Sequence, residues 1–350
     1  MKRFLWHAAL TVALLGAAAL AFVAAGFVPV AADAGHWPIT RVLLHYAMKR
    51  SVATQSMGVE APALDAPWLV RKGAGHYANG CMPCHGAPGV PRSVVATRMT
   101  PEPPFLPRSL GARELTREEL FWIVKHGIKY TAMPSWATQN RDDEVWSMVA
   151  FLERLPDLSP SAWRGLAYGG VDAGPGDCAG CHGEQGQGNA AYPRIAGLDA
   201  AYLDATLEAF ASGRRQSGMM QPVAGALGEA QRQRLARHFA GVEAGTLPAP
   251  EATGAASVAR GRRLAIEGDG TRRIPACAEC HGPVRKDRNR MYPDIAGQHP
   301  AYLALQLELF ARGGRGGTRY AHLMERAATG LEPGEIRDLA AYYGSLPPGG

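Results

Sequence analysis

Cys81-Met82-Pro83-Cys84-His85, Cys178-Ala179-Gly180-Cys181-His182 and Cys277-Ala278-Glu279-Cys280-His281 together hold all six cysteines of this 350-residue chain. Cys-x-x-Cys-His is the attachment pattern of c-type haem: two thiols add across the vinyl groups of one porphyrin, and the adjoining histidine ligates the iron. The copies stand at intervals of 97 and 99 residues, with no cysteine left over. They predict three covalently attached haem c groups, held by Cys81, Cys84 and His85, by Cys178, Cys181 and His182, and by Cys277, Cys280 and His281.

Two other chemistries use Cys-x-x-Cys. A structural zinc site needs further Cys or His ligands at short spacing, and pairing two of these motifs would strand the third. A dithiol redox pair belongs near a βαβ pattern, whereas these motifs sit among Gly/Pro loops and helical stretches.

The motif spacing divides the chain into units of about a hundred residues, small for a core unless a haem adds apolar surface. The formal charge is +6. Propionates, about −2 per haem, would offset it, so the basic balance is not read as a nucleic-acid surface. Residues 158–247 carry 7 basic and 8 acidic side chains and residues 248–350 carry 14 and 11. The basic run from Arg260 to Arg290 reads as a solvated face with propionate partners, a docking patch being the alternative.

No Asp, Glu, Lys or Arg interrupts Phe4 to Ala32. A signal-peptide core is about 7–15 residues and a membrane span about 20, so residues 1–32 are expected to be an uncleaved anchor. A signal cleaved after Val30-Ala31-Ala32 is the alternative. Haem attachment occurs outside the bacterial inner membrane, which puts the bulk of the chain in the periplasm. Residues 33–67 form a juxtamembrane segment, in which Ile39 to Met48 reads as a short amphipathic helix, at the membrane surface or against the first haem unit.

Three haem units are expected at 68–157, 158–247 and 248–350, with Pro156–Pro160 and Gly245–Gly254 (Pro248, Pro250) between them. The later two are an internal repeat. Tyr192-Pro193-Arg194-Ile195-Ala196-Gly197 matches Tyr292-Pro293-Asp294-Ile295-Ala296-Gly297, and Ala201-Tyr202-Leu203 matches Ala301-Tyr302-Leu303. Leu203, Leu207 and Phe210, like Leu303, Leu307 and Phe310, have helical spacing with one buried face. Closing helices are expected at Glu229–Ala240 and Pro333–Leu346. In the first unit Thr116-Arg117-Glu118-Glu119 is a capping box, and Asp142 to Leu155 is a helix with Val145, Trp146, Val149 and Leu152 on one face. No stretch reads as a strand, so the fold class is all-α.

What fills each iron's sixth position separates electron transfer from catalysis. Met133, before Pro134 in a loop between helices, is the candidate in the first unit. Met324 precedes Leu331 by seven residues, and Met220, not Met219, precedes Leu227 by the same seven. The candidate ligand pairs are therefore His85/Met133, His182/Met220 and His281/Met324, with Met219 and His322 as alternatives. No residue is read as catalytic. Pro193 and Pro293 fall 11 and 12 residues after their histidines, where a nearby carbonyl would accept the ring N–H.

On these motifs the chain resembles class I cytochromes c in tandem, three domains after an N-terminal transmembrane helix. Residues 158–350 resemble the dihaem cytochrome c4 type, and 68–157 a single-domain cytochrome c with a Met-Pro distal loop. Two departures stand out: Arg285, Lys286, Arg288 and Arg290 follow the third motif where the second has glycines, and Gly169, Gly170, Gly174 and Pro175 break the opening helix of the second unit. The resemblance implies an electron carrier and not an enzyme, working between a quinol-oxidising complex or dehydrogenase and a terminal oxidase or reductase. The alternatives are a cytochrome subunit of a periplasmic dehydrogenase complex and a haem enzyme with one open site.

Overall fold

Helix α1 (Lys2–Ala24) runs through the apolar N-terminal stretch, and none of its residues is buried. At about 1.5 Å per residue it is long enough to cross a hydrocarbon layer of about 30 Å. The computed structural model describes residues 2–112, 115–169, 178–245, 254–282 and 289–349. No strand forms among them, only isolated bridges such as Ala87–Val90. Gly170, Gly174, Pro175, Pro248, Pro250, Arg285, Lys286 and Arg288 lie outside the described residues.

Helix α2 (Pro38–Gln55) extends about two turns beyond the expected Met48. Its later residue Val52 is buried, while Ile39, Val42, Leu43 and Tyr46 remain exposed. Helix α2 packs against the helix Arg117–His126.

The first unit is built from α3 (Pro67–Gly80), α4 (Arg117–His126) and α5 (Asp142–Arg154). The capping box forms as the sequence predicts: Thr116 Oγ1 accepts the Glu119 N–H at 3.2 Å, and the Thr116 N–H donates to Glu119 Oε2 at 3.0 Å. Val145, Val149 and Leu152 face the core, and Trp146 stacks on Phe121 with ring centroids 4.2 Å apart. Helices α3 and α5 cross at Gly73, where a Cβ would stand 2.1 Å from the Ser147 carbonyl oxygen.

Helix α6 (Pro160–Tyr168) opens the stretch expected as the second unit. Its Trp163 is 1% exposed and packs edge-on to Tyr77 at 5.6 Å and against Phe151. Within its own helix the indole meets Tyr168 edge-on at 6.4 Å, and it buries itself in the cluster that holds Tyr77, Met148, Phe151 and Leu155.

The second unit contains α7 (Ala200–Ala211), α8 (Met220–Gly225) and α9 (Glu229–Ala240). The third contains α10 (Ala255–Glu267), α11 (Pro300–Ala311), α12 (Ala321–Thr329) and α13 (Pro333–Ser345). The internal repeat survives as α7/α11, α8/α12 and α9/α13. Leu203, Phe210, Leu303 and Phe310 are buried and Leu207 and Leu307 half-buried, and all six line one cavity. Helices α10 and α13 repeat the close crossing, with Gly261 against the Asp338 carbonyl.

Candidate haem sites

Each Cys-x-x-Cys-His motif closes a single helical turn, Met82–His85, Cys178–His182 and Ala278–His281. The turn puts both cysteines and the histidine on one short piece of rigid backbone. Every motif histidine then aims its Nδ1 at a backbone carbonyl: His85 at Pro104 O (3.0 Å), His182 at Pro193 O (2.8 Å) and His281 at Pro293 O (2.8 Å). A carbonyl only accepts, so Nδ1 carries the proton and Nε2 keeps its lone pair for a metal. Burial holds the His85 and His182 rings below the usual imidazole range, against the opposing pull of the Pro104 and Pro193 carbonyls. Both rings are neutral at pH 7, as a ligand requires. The Pro193 and Pro293 partners were legible from the repeat. Pro104 was not, since it lies 19 residues beyond His85 in a loop with no repeated counterpart.

On the opposite side, Met324 Sδ lies 3.4 Å from His281 Nε2, so α12 brings the third pair face to face. In the second unit Met219 and Met220 both line the cavity that His182 lines, Met219 buried and Met220 half-buried. Ala224 and Ala328, both fully buried, stand four residues after Met220 and Met324 and carry the same register. Met133 is half-buried between α4 and α5, its N–H bonded to Thr131 Oγ1 at 3.1 Å and its carbonyl accepting from Ile128 N at 3.2 Å. No direct contact joins it to His85 among the described side-chain interactions.

The second and third sites share one cavity of about 390 Å³, lined by both motifs, Met219, Met220, Met324 and largely apolar walls. Two guanidiniums project into it in a pseudo-symmetric arrangement. Arg215 donates to the Tyr302 hydroxyl (3.4 Å) and Gln306 Oε1 (3.3 Å), and Arg315 donates to the Tyr202 hydroxyl (3.2 Å) and Gln306 Oε1 (2.6 Å). Each stacks 4.5 Å over a phenylalanine ring, Phe210 or Phe310. No carboxylate pairs with either among the described residues, and buried guanidiniums without a counter-charge are costly. Haem, with flat apolar faces and two carboxylates, fits both the walls and this unmatched positive charge.

The thiols agree. Burial, reinforced by the neighbouring motif cysteine, pushes Cys81 up to about 12, and burial pushes Cys277 up to about 11. Such surroundings suit uncharged thioether sulfur and oppose the thiolates that zinc requires. Among the described residues no group of three or more His, Cys, Asp or Glu side chains converges as a metal-ligand cluster.

The first unit also reaches the second site, which the sequence did not signal. Lys72, His76, Arg141 and Glu144 line the shared cavity. Lys72 and Arg141 pair with Asp143 at 3.0 and 2.8 Å, and Arg141 with Glu144 at 3.1 Å. Burial lowers His76 to about 4, with Glu144 partly opposing, so it stands there neutral. The Tyr192 hydroxyl donates to the α3 carbonyls of Arg71 (3.1 Å) and Lys72 (3.3 Å). At Gly75 a Cβ would lie 2.0 Å from that hydroxyl and 3.6 Å from Cys181 Sγ. Helix α3 ends at Gly80, next to Cys81. One helix thus meets the attachment sulfur of the second motif through the Tyr192 hydroxyl and leads into that of the first.

The family model described as cytochrome C oxidase, cbb3-type, subunit III matches residues 69–152, and that described as cytochrome c matches residues 174–240. The thiosulfate dehydrogenase electron acceptor of Thiomonas intermedia is 35% identical over 201 residues, covering 57% of this chain and 89% of that protein. The protein of the same description from Stutzerimonas stutzeri is 36% identical over 210 residues, covering 57% and 94%. Cytochrome c4 of Pseudomonas aeruginosa is 28% identical over 189 residues, covering 52% and 92%.

Proposed function

This chain belongs to the family of c-type cytochromes that includes the thiosulfate dehydrogenase electron acceptors, and from that premise we propose that it is a membrane-anchored, three-haem electron relay of the periplasm. Haem supplies the one-electron chemistry, and methionine/histidine ligation raises its potential while closing the sixth position to substrate. His85/Met133, His182/Met220 and His281/Met324 are the proposed axial pairs, with the six motif cysteines as covalent anchors. The protein's own residues fix the histidine tautomers through Pro104, Pro193 and Pro293, exclude water with Leu207, Leu307 and their neighbours, and balance charge with Arg215 and Arg315. Helix α1 is the proposed anchor, confining the relay to the membrane plane and raising its effective concentration near membrane-bound partners.

The observation that carries the relay is the Tyr192 hydroxyl, bonded to the α3 carbonyls of Arg71 and Lys72 and to the Cys181 thiol, because it gives the first site a short packed route to the second. The shared cavity continues that route to the third.

The relatives' descriptions point to a thiosulfate-oxidising enzyme as donor. The likeness of residues 69–152 to a cbb3-type oxidase subunit favours delivery to a terminal oxidase. The test is to mix the purified holoprotein with thiosulfate dehydrogenase and thiosulfate and follow the haem absorbance. The expected result is full reduction with the enzyme present and none with thiosulfate alone. Reduction by dithionite but never by the enzyme would overturn the donor assignment, and thiosulfate turnover by the protein alone would overturn the carrier role.

A further inference from the structure

Glu144 lies in α5 of the first unit, but two of its hydrogen bonds end in the second. Its Oε1 accepts from the Ser217 hydroxyl at 2.7 Å and its Oε2 from the Gly218 N–H at 2.6 Å. The same Oε2 accepts from Trp136 Nε1 at 3.2 Å. Arg141, one turn earlier, donates to the Gln216 carbonyl at 2.7 Å. These groups grip the turn Gln216-Ser217-Gly218, which runs directly into Met219 and Met220. Ser217 passes the hold onward, its Oγ accepting from the N–H groups of Met219 (3.3 Å) and Met220 (3.1 Å).

The fit leaves no slack. Glu144 is 2% exposed. A Cβ at Gly218 would stand 2.5 Å from Trp136 Nε1 and 3.0 Å from Glu144 Oε2. Among the described residues the third unit shows no equivalent. In the register that matches Met220 with Met324, Ala321 and His322 replace Ser217 and Gly218, and Ala321 has no hydroxyl to be held. The Ala321 N–H bonds within its own unit, to the Thr318 carbonyl at 3.1 Å. Among the described residues, therefore, it is the second of the two repeated sites whose sulfur-bearing turn is clamped by side chains of another unit.

We propose that Glu144 is a positioning residue for the sulfur ligand of the second haem, so that the potential of that haem depends on the docking of the first unit. Charge-assisted hydrogen bonds to a buried carboxylate are strong and directional, and they fix the backbone from which the thioether reaches the iron. Weakening them loosens sulfur ligation, and a methionine-ligated haem that loses its sulfur falls in potential. The inference rests on the reading that Met219 or Met220 ligates opposite His182.

The experiment is a redox titration of the full-length holoprotein in detergent, with the weak far-red absorption band of sulfur-ligated ferric haem recorded alongside. The variants are Glu144→Gln, Ser217→Ala, Met219→Leu and Met220→Leu. Arg117→Gln, which removes only the Arg117–Glu153 surface pair, is the control. Glu144→Gln and Ser217→Ala should each lower one of three reduction steps by about tenfold in equilibrium, about 59 mV for one electron. Each should also weaken the band by up to one haem's share. The other two steps, and all three in the control, should hold still. If one Met variant removes a haem's share of the band but Glu144→Gln and Ser217→Ala move nothing, or move all three steps together, the clamp is refuted and the ligand reading stands. If neither Met variant touches the band, the ligand reading fails and the inference falls with it.

Discussion

Arg194 and Gln298 hold each other through a reciprocal pair of hydrogen bonds across the second and third units. The Arg194 N–H donates to Gln298 Oε1 at 2.8 Å, and the Gln298 amide donates to the Arg194 carbonyl at 3.0 Å. The Arg194 guanidinium continues across the same boundary to the carbonyls of Asp294 (3.3 Å) and Ala296 (3.0 Å). Arg194 follows Pro193 and Asp294 follows Pro293, so the loops that orient His182 and His281 are tied to each other.

Replacing Gln298 by Leu leaves the buried Arg194 N–H and carbonyl without partners. Each orphaned group costs about 1–3 kcal/mol, so Gln298→Leu should destabilise the holoprotein by about 3 kcal/mol in urea unfolding. A change below about 0.5 kcal/mol, the size of an ordinary surface effect, would show that the pair bears no weight.

Gly75→Ala tests the contact between α3 and the second motif. Its new methyl would collide with the Tyr192 hydroxyl, and overpacking of this kind costs about 1–3 kcal/mol. Tyr192→Phe in the same chain should recover part of the loss by removing the obstructing oxygen. Full stability for Gly75→Ala alone would mean that the two surfaces do not meet so closely.

Acidification should loosen the first unit in two stages. His76 has a folded pKa of about 4 against an ordinary 6.5, depressed chiefly by burial. Between those values the unfolded chain binds the extra proton, so stability falls as pH drops from 6.5 towards 4, by about 3 kcal/mol in total. Below about pH 4 the Asp143 carboxyl adds to the loss. Burial would raise it, but Lys72 and Arg141 outweigh burial and hold it well below the usual carboxylate range. Its stabilisation is present above the ordinary carboxylate pKa and disappears as pH falls through the depressed one. Urea midpoints measured from pH 7 to pH 4 should decline for the parent protein and decline less steeply for His76→Gln, the remaining slope coming from other buried imidazoles such as His85 and His182. Parallel curves would contradict the assignment.

Arg215→Gln with Arg315→Gln removes the unmatched positive charge from the shared cavity. Losing cations beside a haem favours its more positive, oxidised state. The second and third potentials should therefore fall by on the order of 50 mV each, close to tenfold in the reduction equilibrium, while the first stays put. Unchanged potentials in a redox titration would place the haem carboxylates elsewhere.

Local pattern carried much of this molecule into view. The Cys-x-x-Cys-His turns, the Thr116 capping box, the repeated α7 and α11 helices and the helical class all follow from spacings of a few residues. So do the Pro193 and Pro293 carbonyls, because the repeat displays them twice. Contacts between distant segments left no such trace. Glu144 meets Ser217 across 73 positions, and nothing near either residue hints at the other. Trp163 falls by its position in the stretch expected as the second unit, 158–247. Its burial beside Tyr77 depends on the shape of a core that only the folded chain possesses. Leu207 and Leu307 fit the helical period, but the period does not tell a cavity wall from a helix interface.

The intact mass of the protein purified from membranes tests the account at its base. Three haems bound through Cys81/Cys84, Cys178/Cys181 and Cys277/Cys280, on a chain that keeps residues 1–32, predict the full polypeptide plus three haem groups. A mass with two haems or fewer would break the relay, and a mass lacking the N-terminal segment would detach it from the membrane.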